Sequence, residues 1–231
     1  MGATELMDRQ DVAPAELART LADLARINRA FGATRVVLDH LEPLLDRRPS
    51  PIRILDVGTG YADLPRAIVE RARRRGQRIR IDALDRHGGI RAWAARSCAA
   101  YPEIHLRDGD ALALPYPDRS VDVALASQLL HHMEGKEPVR LLRELRRVAR
   151  HAVVVGDLRR GVWPFAVTWA VLHLVSRSRL IWHDGPLSIR RGFAAAELLE
   201  MARAAGWEAP EVFRHSFFRL VLMERMAEWR A

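Results

Sequence analysis

Ile54-Leu-Asp-Val-Gly-Thr-Gly60 joins a short apolar run to a segment with helical spacing. Glycines at such a junction let the backbone turn tightly and approach a ligand closely, and the helix that follows begins with free N–H groups. By itself, the pattern also fits a tight turn in any α/β protein. The dinucleotide fingerprint requires a third glycine three places after the second. This sequence has Asp63 there, which disfavours an NAD site.

Short apolar runs alternate with helical segments on both sides of this stretch. Strands are predicted at residues 52–57, 78–84, 104–107, 121–126 and 152–155, and helices between them at 61–75, from 85 to about 100, and at 138–150. A further helix is predicted at 194–205, followed by a closing pair of strands at 211–215 and 218–223. This order predicts an α/β fold: a mostly parallel, Rossmann-like sheet of seven strands with helices on both faces.

Acidic residues recur where the predicted strands end. Asp56 lies at the end of the first strand, and Asp85 follows the second, where a carboxylate can accept both hydroxyls of a ribose. The third strand is followed by Gly109-Asp-Ala111 and then by Leu114-Pro-Tyr116. The fourth strand continues into Ser127-Gln-Leu-Leu-His-His132. A single acidic residue at the end of a strand is usually an ordinary loop residue. Four motifs that occur in order after four successive strands are a much more specific signal.

Together these motifs resemble the class I methyltransferases that use S-adenosylmethionine, over roughly residues 50–157. The family's first motif matches Asp56-Val-Gly-Thr-Gly-Tyr-Ala62, with Ala62 in place of its third glycine. The resemblance implies S-adenosylmethionine as cofactor and S-adenosylhomocysteine as product. It also implies that Asp110 accepts a hydrogen bond from the adenine amino group. The implied cofactor-binding residues are Asp56, Gly58, Thr59, Gly60, Asp85, Arg86, Asp110, Ala111 and Ser127.

The chain is long enough for one sizeable core, and we predict a single methyltransferase domain over residues 1–231. Residues 14–46 have the apolar spacing of two helices, and residues 1–48 are predicted to form an N-terminal helical cap. Residues 50–157 are predicted to be the cofactor-binding core, and 158–192 an insert that forms an apolar helical lid. Residues 193–231 supply the closing helix and strands.

The insert is the main clue to the methyl acceptor. Trp163, Phe165 and Trp169 belong to an apolar run and are predicted to bind an apolar acceptor. The alternative is an ordinary core helix. The stretch from His183 to Arg191 is predicted to be a compact polar turn. These features are similar, more loosely, to small-molecule methyltransferases of bacterial polyketide and quinone pathways, a branch typical of secondary metabolism. The resemblance implies O-methylation of a phenolic or quinone-like acceptor.

A phenol ionises near pH 10, so a general base would help transfer at neutral pH. The candidates are His131, His132 and His183, of which His132 and His183 rank about level. Two rival functions remain open. One is methylation of a carbon on a quinol or polyketide ring, or of a nitrogen. The other is a cofactor-binding partner protein without activity.

The amino-acid composition limits which binding partners are expected. The net charge of +8 suggests binding to an anionic surface. However, Lys136 is the only lysine, so nearly all of the positive charge is arginine, and this bias can also result from codon composition. Weak association with an anionic membrane surface is therefore kept open. No nucleic-acid partner is expected, since the turn after the fourth strand lacks an Asn/Asp-Pro-Pro-aromatic motif. Cys98 is predicted to be a buried core thiol. We expect no bound metal and no signal peptide, and we expect the protein to be cytoplasmic. The oligomeric state is open.

Overall fold

A computed structural model describes residues 14–46, 51–163, 165–167, 169 and 178–227. The described strands form one seven-stranded sheet in the order β3-β2-β1-β4-β5-β7-β6. Their bounds are β1 (Ile52–Val57), β2 (Ile79–Leu84), β3 (Ile104–Arg107), β4 (Val121–Ser127), β5 (Ala149–Leu158), β6 (Glu211–His215) and β7 (Arg219–Arg225). Strands β1 to β5 are parallel, while β7 runs antiparallel to both β5 and β6. The predicted α/β architecture is confirmed.

The helices alternate with the parallel strands as the sequence predicts. Their bounds are α1 (Pro14–Ala30), α2 (Ala33–Leu45), α3 (Asp63–Arg74), α4 (Gly88–Ser97), α5 (Glu137–Val148), α6 (Arg179–Arg191) and α7 (Ala195–Ala204), and a 3-10 turn lies at Leu130–His132. Gly32 separates α1 from α2 with a φ of +71°, so one long helix cannot form there. None of the helices in the described ranges has the length and hydropathy that crossing a membrane requires.

The core has two layers because successive strand residues point to opposite faces of the sheet. Ile54 belongs to the cluster shared with α2, α3 and α4, whereas its neighbour Leu55 belongs to the cluster shared with α5 and α7. Strands buried on both faces read as continuous apolar runs, and this is why the sequence located them well. Cys98, at the end of α4, is buried as predicted.

Helix α2 belongs to the core, although the sequence assigned it to a cap. Val37 and Leu41 are fully buried in the cluster on one sheet face. The helix lies so close to β5 that a Cβ on Gly156 would come within 2.7 Å of Val37. The N-terminal segment therefore completes one face of the sheet in addition to flanking the ligand-binding edge.

The prediction of a compact turn from His183 to Arg191 is wrong, because this stretch is the second half of α6. The prediction relied on Gly185 and Pro186, which disfavour helix interiors. In the structure, Ile181 and Ile189 are buried on the face that packs toward the fold, and Pro186 is buried with them. Tertiary packing on this face outweighs the local preference.

Candidate active site

A cavity of about 390 Å³ opens at the edge of the sheet where the parallel strands end. This is within the range of ~300–1,000 Å³ that is usual for small-molecule sites. The described structure brings all nine residues of the implied cofactor set to its wall: Asp56, Gly58, Thr59, Gly60, Asp85, Arg86, Asp110, Ala111 and Ser127. These residues follow four different strands, and they meet because parallel strands end at one edge.

The glycine loop after β1 has the backbone that its residues require. Gly58 has a φ of +71°, and a Cβ there would lie 2.8 Å from the side chain of Leu129. Gly60 has a φ of +55° with open space where a Cβ would be, which leaves room for a ligand against the backbone. Ala62 also has a positive φ of 55°, immediately before α3. The family has its third glycine here, and alanine bears a conformational cost of ~1–2 kcal/mol.

Two carboxylates are already oriented by backbone N–H groups. Gly60 donates to Asp85 Oδ2 at 2.9 Å, and His87 donates to Asp85 Oδ1 at 2.9 Å. Leu112 donates to Asp110 Oδ1, also at 2.9 Å. Each carboxylate oxygen can accept more than one hydrogen bond, so both residues keep acceptor capacity for ribose or adenine groups.

The innermost part of this wall is polar and buried. Asp56 is 2% exposed, and burial raises the pKa of its carboxyl to about 7. The neighbouring Thr59 hydroxyl is also buried, and its interaction with the Asp56 carboxyl lowers that pKa in part. Buried polar groups beside a cavity favour a polar ligand group. The residues present therefore fit S-adenosylmethionine, with a carboxylate and a hydroxyl at the end of β1 available to its polar amino-acid part.

His131 and His132 both line the cavity, in the 3-10 turn after β4. His131 is buried, and its Nδ1 lies 2.7 Å from Asp157 Oδ1. Although burial raises the pKa of Asp157, its interaction with His131 and the hydrogen bonds that it accepts lower that pKa below its usual value. The carboxylate is thus ionised, so Nδ1 carries the hydrogen and Nε2 is the basic nitrogen. The ring of His132 lies 4.3 Å from that of His131.

His183 is not brought to the cavity. Its Nδ1 lies 2.8 Å from Asp184 Oδ1, so the neighbouring side chains do meet, but the His183 side chain is 46% exposed. Ile181, Gly185, Ser188 and Ile189 are the residues of α6 that line the cavity. Of the three candidate bases, the structure therefore places His131 and His132 at the cavity, whereas His183 pairs with the buried Asp184 outside it.

The three predicted acceptor residues are outside the cavity wall. Trp163 is 78% exposed and Trp169 is 51% exposed, and Phe165 is half-buried beside them. Among the described residues of this run, Val167 lines the cavity. Pro164, Thr168 and residues 170–177 of the insert are outside the described ranges. The rest of the apolar wall comes chiefly from Leu24, Ile27, Phe31 and Phe217, and from Ile181 and Ile189 in the α6 part of the insert.

Sequence reasoning missed Asp157, Gln128 and Arg219. Gln128 and Arg219 line the cavity, and Arg219 donates from Nη1 to Gln128 Oε1 at 2.7 Å. The sequence could have indicated Asp157, because it lies at the end of the fifth strand. An acidic residue there is as informative as Asp56 is at the end of the first strand. Arg219 had no such signal, because it begins a strand. Across the described residues, no group of three or more His, Cys, Asp or Glu side chains is arranged to hold a metal ion.

Comparison with known proteins agrees with this geometry. Residues 54–152 match the family model of a methyltransferase domain. The crystal structure of a SAM dependent methyltransferase from Aquifex aeolicus is similar, with a TM-score of 0.67 and 16% identity over 94% of this chain and 100% of that one. The trans-methyltransferase CalH complexed with SAH gives a TM-score of 0.61 at 19% identity, over 81% of this chain and 55% of that one.

The CMeT domain of the citrinin polyketide synthase gives a TM-score of 0.61 at 16% identity, over 81% of this chain and 50% of that one. A search of curated protein sequences found no match. Structural likeness at such low identities shows the fold alone, whereas the family model covers the glycine loop, Asp85, Asp110 and His131. Residues 54–152, which are 99 of the 231 residues of the chain, thus match the family of methyltransferase domains.

Proposed function

We propose that the enzyme methylates an oxygen of a small, apolar acceptor with phenolic or quinone-like character. The observation that carries the proposal is the buried pair of His131 and Asp157 at the wall of the cavity, 2.7 Å apart. When bound, S-adenosylmethionine supplies a methyl group activated by its sulfonium. The protein then has to orient the acceptor and remove its proton.

His131 suits proton removal because Asp157 fixes its ring. With the hydrogen on Nδ1 bonded to the carboxylate, Nε2 accepts the proton of the acceptor hydroxyl, and Asp157 stabilises the imidazolium that forms. Positioning of the acceptor and a general base each increase the rate of methyl transfer, and the base does so by ~100- to 10,000-fold. The apolar side chains of Leu24, Ile27 and Phe31 would hold the aromatic part of the acceptor in the same cavity.

Carbon methylation is the second candidate, and the comparisons give it a specific reason. CurJ, a carbon methyltransferase, has the same fold, with a TM-score of 0.66 at 13% identity. A base beside the cavity would also promote attack by a ring carbon of a phenolate. Incubation with a methyl-labelled cofactor and an alkylresorcinol, followed by NMR of the product, separates the two. A methoxy signal supports the proposal, whereas an aryl-methyl signal overturns it in favour of carbon transfer.

We also propose a weak association with an anionic membrane surface. Val162 and Trp163 are 83% and 78% exposed, and Trp182 on α6 is 36% exposed. Arg179 and Arg190, at the two ends of α6, are exposed as well. Exposed tryptophans beside arginines are typical of surfaces that insert at the headgroup level of anionic bilayers. An apolar acceptor dissolved in such a bilayer would meet the enzyme there.

A further inference from the structure

Arg219 occupies an unusual place at the active-site edge. It is the first residue of β7, and in the sheet it pairs with Leu158, the last residue of β5. Because the two strands are antiparallel, the beginning of β7 lies at the edge where the parallel strands end. Arg219 lines the cavity and is only 6% exposed. A buried arginine in a ligand cavity requires an explanation, since arginine is rarely buried unless it is paired.

The charge of Arg219 is poorly compensated by the protein. Its Nη1 donates a hydrogen bond to the neutral amide oxygen of Gln128, and its buried Nε has no partner among the described residues. Burial lowers the pKa of Arg219 to about 10, although the negative charge of Asp157 acts in the opposite direction. A buried cation with one neutral partner is costly, so an anionic group that binds beside it is strongly favoured.

Asp157 fills this role only in part. Its Oδ1 accepts hydrogen bonds from His131 Nδ1 at 2.7 Å and from the N–H of Leu158 at 2.6 Å, and its buried Oδ2 has no hydrogen-bond partner among the described residues. Its negative charge acts on Arg219, but no carboxylate of the described residues is paired with the guanidinium as Glu211 is with Arg225, at 3.0 Å, at the other end of β7. An anion in the cavity would thus be a closer partner of opposite charge than any described carboxylate.

We infer that Arg219 binds an anionic oxygen of the acceptor, and that the acceptor is an aromatic hydroxy acid whose carboxylate lies next to the hydroxyl that is methylated. The inference rests on the proposed function, in which His131 takes the hydroxyl proton. His131 and Arg219 are both close to Asp157, so one ring can present its hydroxyl to the first and its carboxylate to the second. The planar guanidinium matches a carboxylate with two parallel hydrogen bonds.

The strand order separates this position from the predicted cofactor site. Asp56, in β1, and Asp85 and Asp110, after β2 and β3, lie on one side of β4, and Ser127 is the last residue of β4 itself. Arg219 is on the other side, in the strand beyond β5. We therefore assign a carboxylate bound by Arg219 to the acceptor and not to the amino-acid part of S-adenosylmethionine.

The test compares salicylate with phenol, which differ by the carboxylate. Their binding to the full chain, saturated with S-adenosylhomocysteine, is measured by titration calorimetry. Wild type is expected to bind salicylate about 10- to 100-fold more tightly, the gain typical of a charge-assisted pair. Arg219→Met, which keeps the volume and removes the charge, should abolish this preference and leave the phenol affinity unchanged. Arg219→Lys should retain part of it.

Arg225→Met is the matched control, because it removes an arginine from the same strand at the end away from the cavity. It should keep the preference. Equal binding of the two ligands by wild type, or no binding of either, overturns the inference. Loss of S-adenosylhomocysteine binding in Arg219→Met would assign the guanidinium to the cofactor. A lower melting temperature with the preference retained would assign it to the fold. Neither result depends on turnover, so failure of oxygen methylation remains separately detectable by product NMR.

Discussion

Gly60 donates its backbone N–H to Asp85 Oδ2 at 2.9 Å, across 25 residues of sequence. The bond joins the glycine loop after β1 to the acid after β2, so one carboxylate both orients the loop and faces the cavity. The same carboxylate accepts the N–H of His87. The Asp110 carboxylate, by contrast, accepts from the N–H of Leu112 in its own loop. This difference separates the expected effects of substituting the two acids.

Asp110→Ala should weaken S-adenosylmethionine binding with little change in melting temperature. Loss of a charge-assisted hydrogen bond costs ~1.5–3 kcal/mol, or about 10- to 100-fold in affinity. Asp85→Ala should weaken binding to a similar extent and also lower the melting temperature, since two backbone donors lose their acceptor. Titration calorimetry and thermal unfolding measure the two effects. Asp108→Ala is the control, because Asp108 is exposed and pairs with Arg91. Wild-type affinity in both variants would remove these residues from the site.

His131→Gln should abolish the rise of kcat with pH that a general base produces. A base must be deprotonated to act, so the rate increases with pH on the acid side of the profile. The expected loss is ~100- to 10,000-fold in kcat. Asp157→Asn should lower kcat as well, because an amide does not hold the ring in the reactive tautomer as the carboxylate does. His132→Gln and His183→Gln should keep the acid limb. If the rise of kcat with pH disappears in His132→Gln instead, His132 is the general base.

Asp56→Asn should stabilise the protein more as the pH rises. Burial raises the pKa of Asp56 to about 7, so the folded protein holds a proton that the unfolded chain has lost above about pH 4. Folding therefore carries a cost that grows between about pH 4 and pH 7 and then stays constant, with an upper limit on the order of 4 kcal/mol. The melting temperature of the variant minus that of wild type, measured without ligand, should follow this course. A difference independent of pH would show that Asp56 ionises normally.

Phe31→Ala and Phe217→Ala should raise the acceptor KM while the cofactor Kd stays unchanged. Their rings lie 5.6 Å apart, edge to face, and both line the cavity. Lost apolar contact of this kind is worth up to ~1–3 kcal/mol. Trp163→Ala is the matched comparison and should leave the acceptor KM unchanged, since Trp163 is exposed. The opposite pattern would mean that the insert covers the acceptor, as the sequence alone predicted.

Vesicle sedimentation should show binding to phosphatidylcholine with added phosphatidylglycerol and little binding to phosphatidylcholine alone. Replacing Trp163 with Ser should reduce binding, because the exposed ring supplies apolar contact at the interface. The pair Arg179→Gln and Arg190→Gln should reduce it further. The pair Arg74→Gln and Arg203→Gln makes the same change in charge on exposed residues of α3 and α7 and should matter less. Equal losses in both pairs would indicate a general effect of charge, and no binding by wild type would refute the proposal.

The sequence by itself determined the parallel half of the fold and the residues implied to bind the cofactor. Strands β1, β2 and β4 are largely apolar, as strands buried on both faces are expected to be, whereas β3, at the edge of the sheet, alternates between apolar and polar residues. Their order also implies that Asp56, Asp85, Asp110 and Ser127 meet at one edge, because right-handed crossovers bring parallel strands to end there together. Local pattern and chain order were sufficient for these conclusions.

Only the tertiary structure decided the acceptor side. Arg219 begins an antiparallel strand, and the pairing that brings it opposite Leu158 is a long-range register that no local pattern contains. Helix α6 forms despite Gly185 and Pro186 because its apolar face is buried, which its own sequence does not reveal. Likewise, His131 and His132 are adjacent in the chain, and only the fold buries His131 against Asp157 while leaving His132 partly exposed. In each case the deciding energy comes from contacts between segments far apart in sequence.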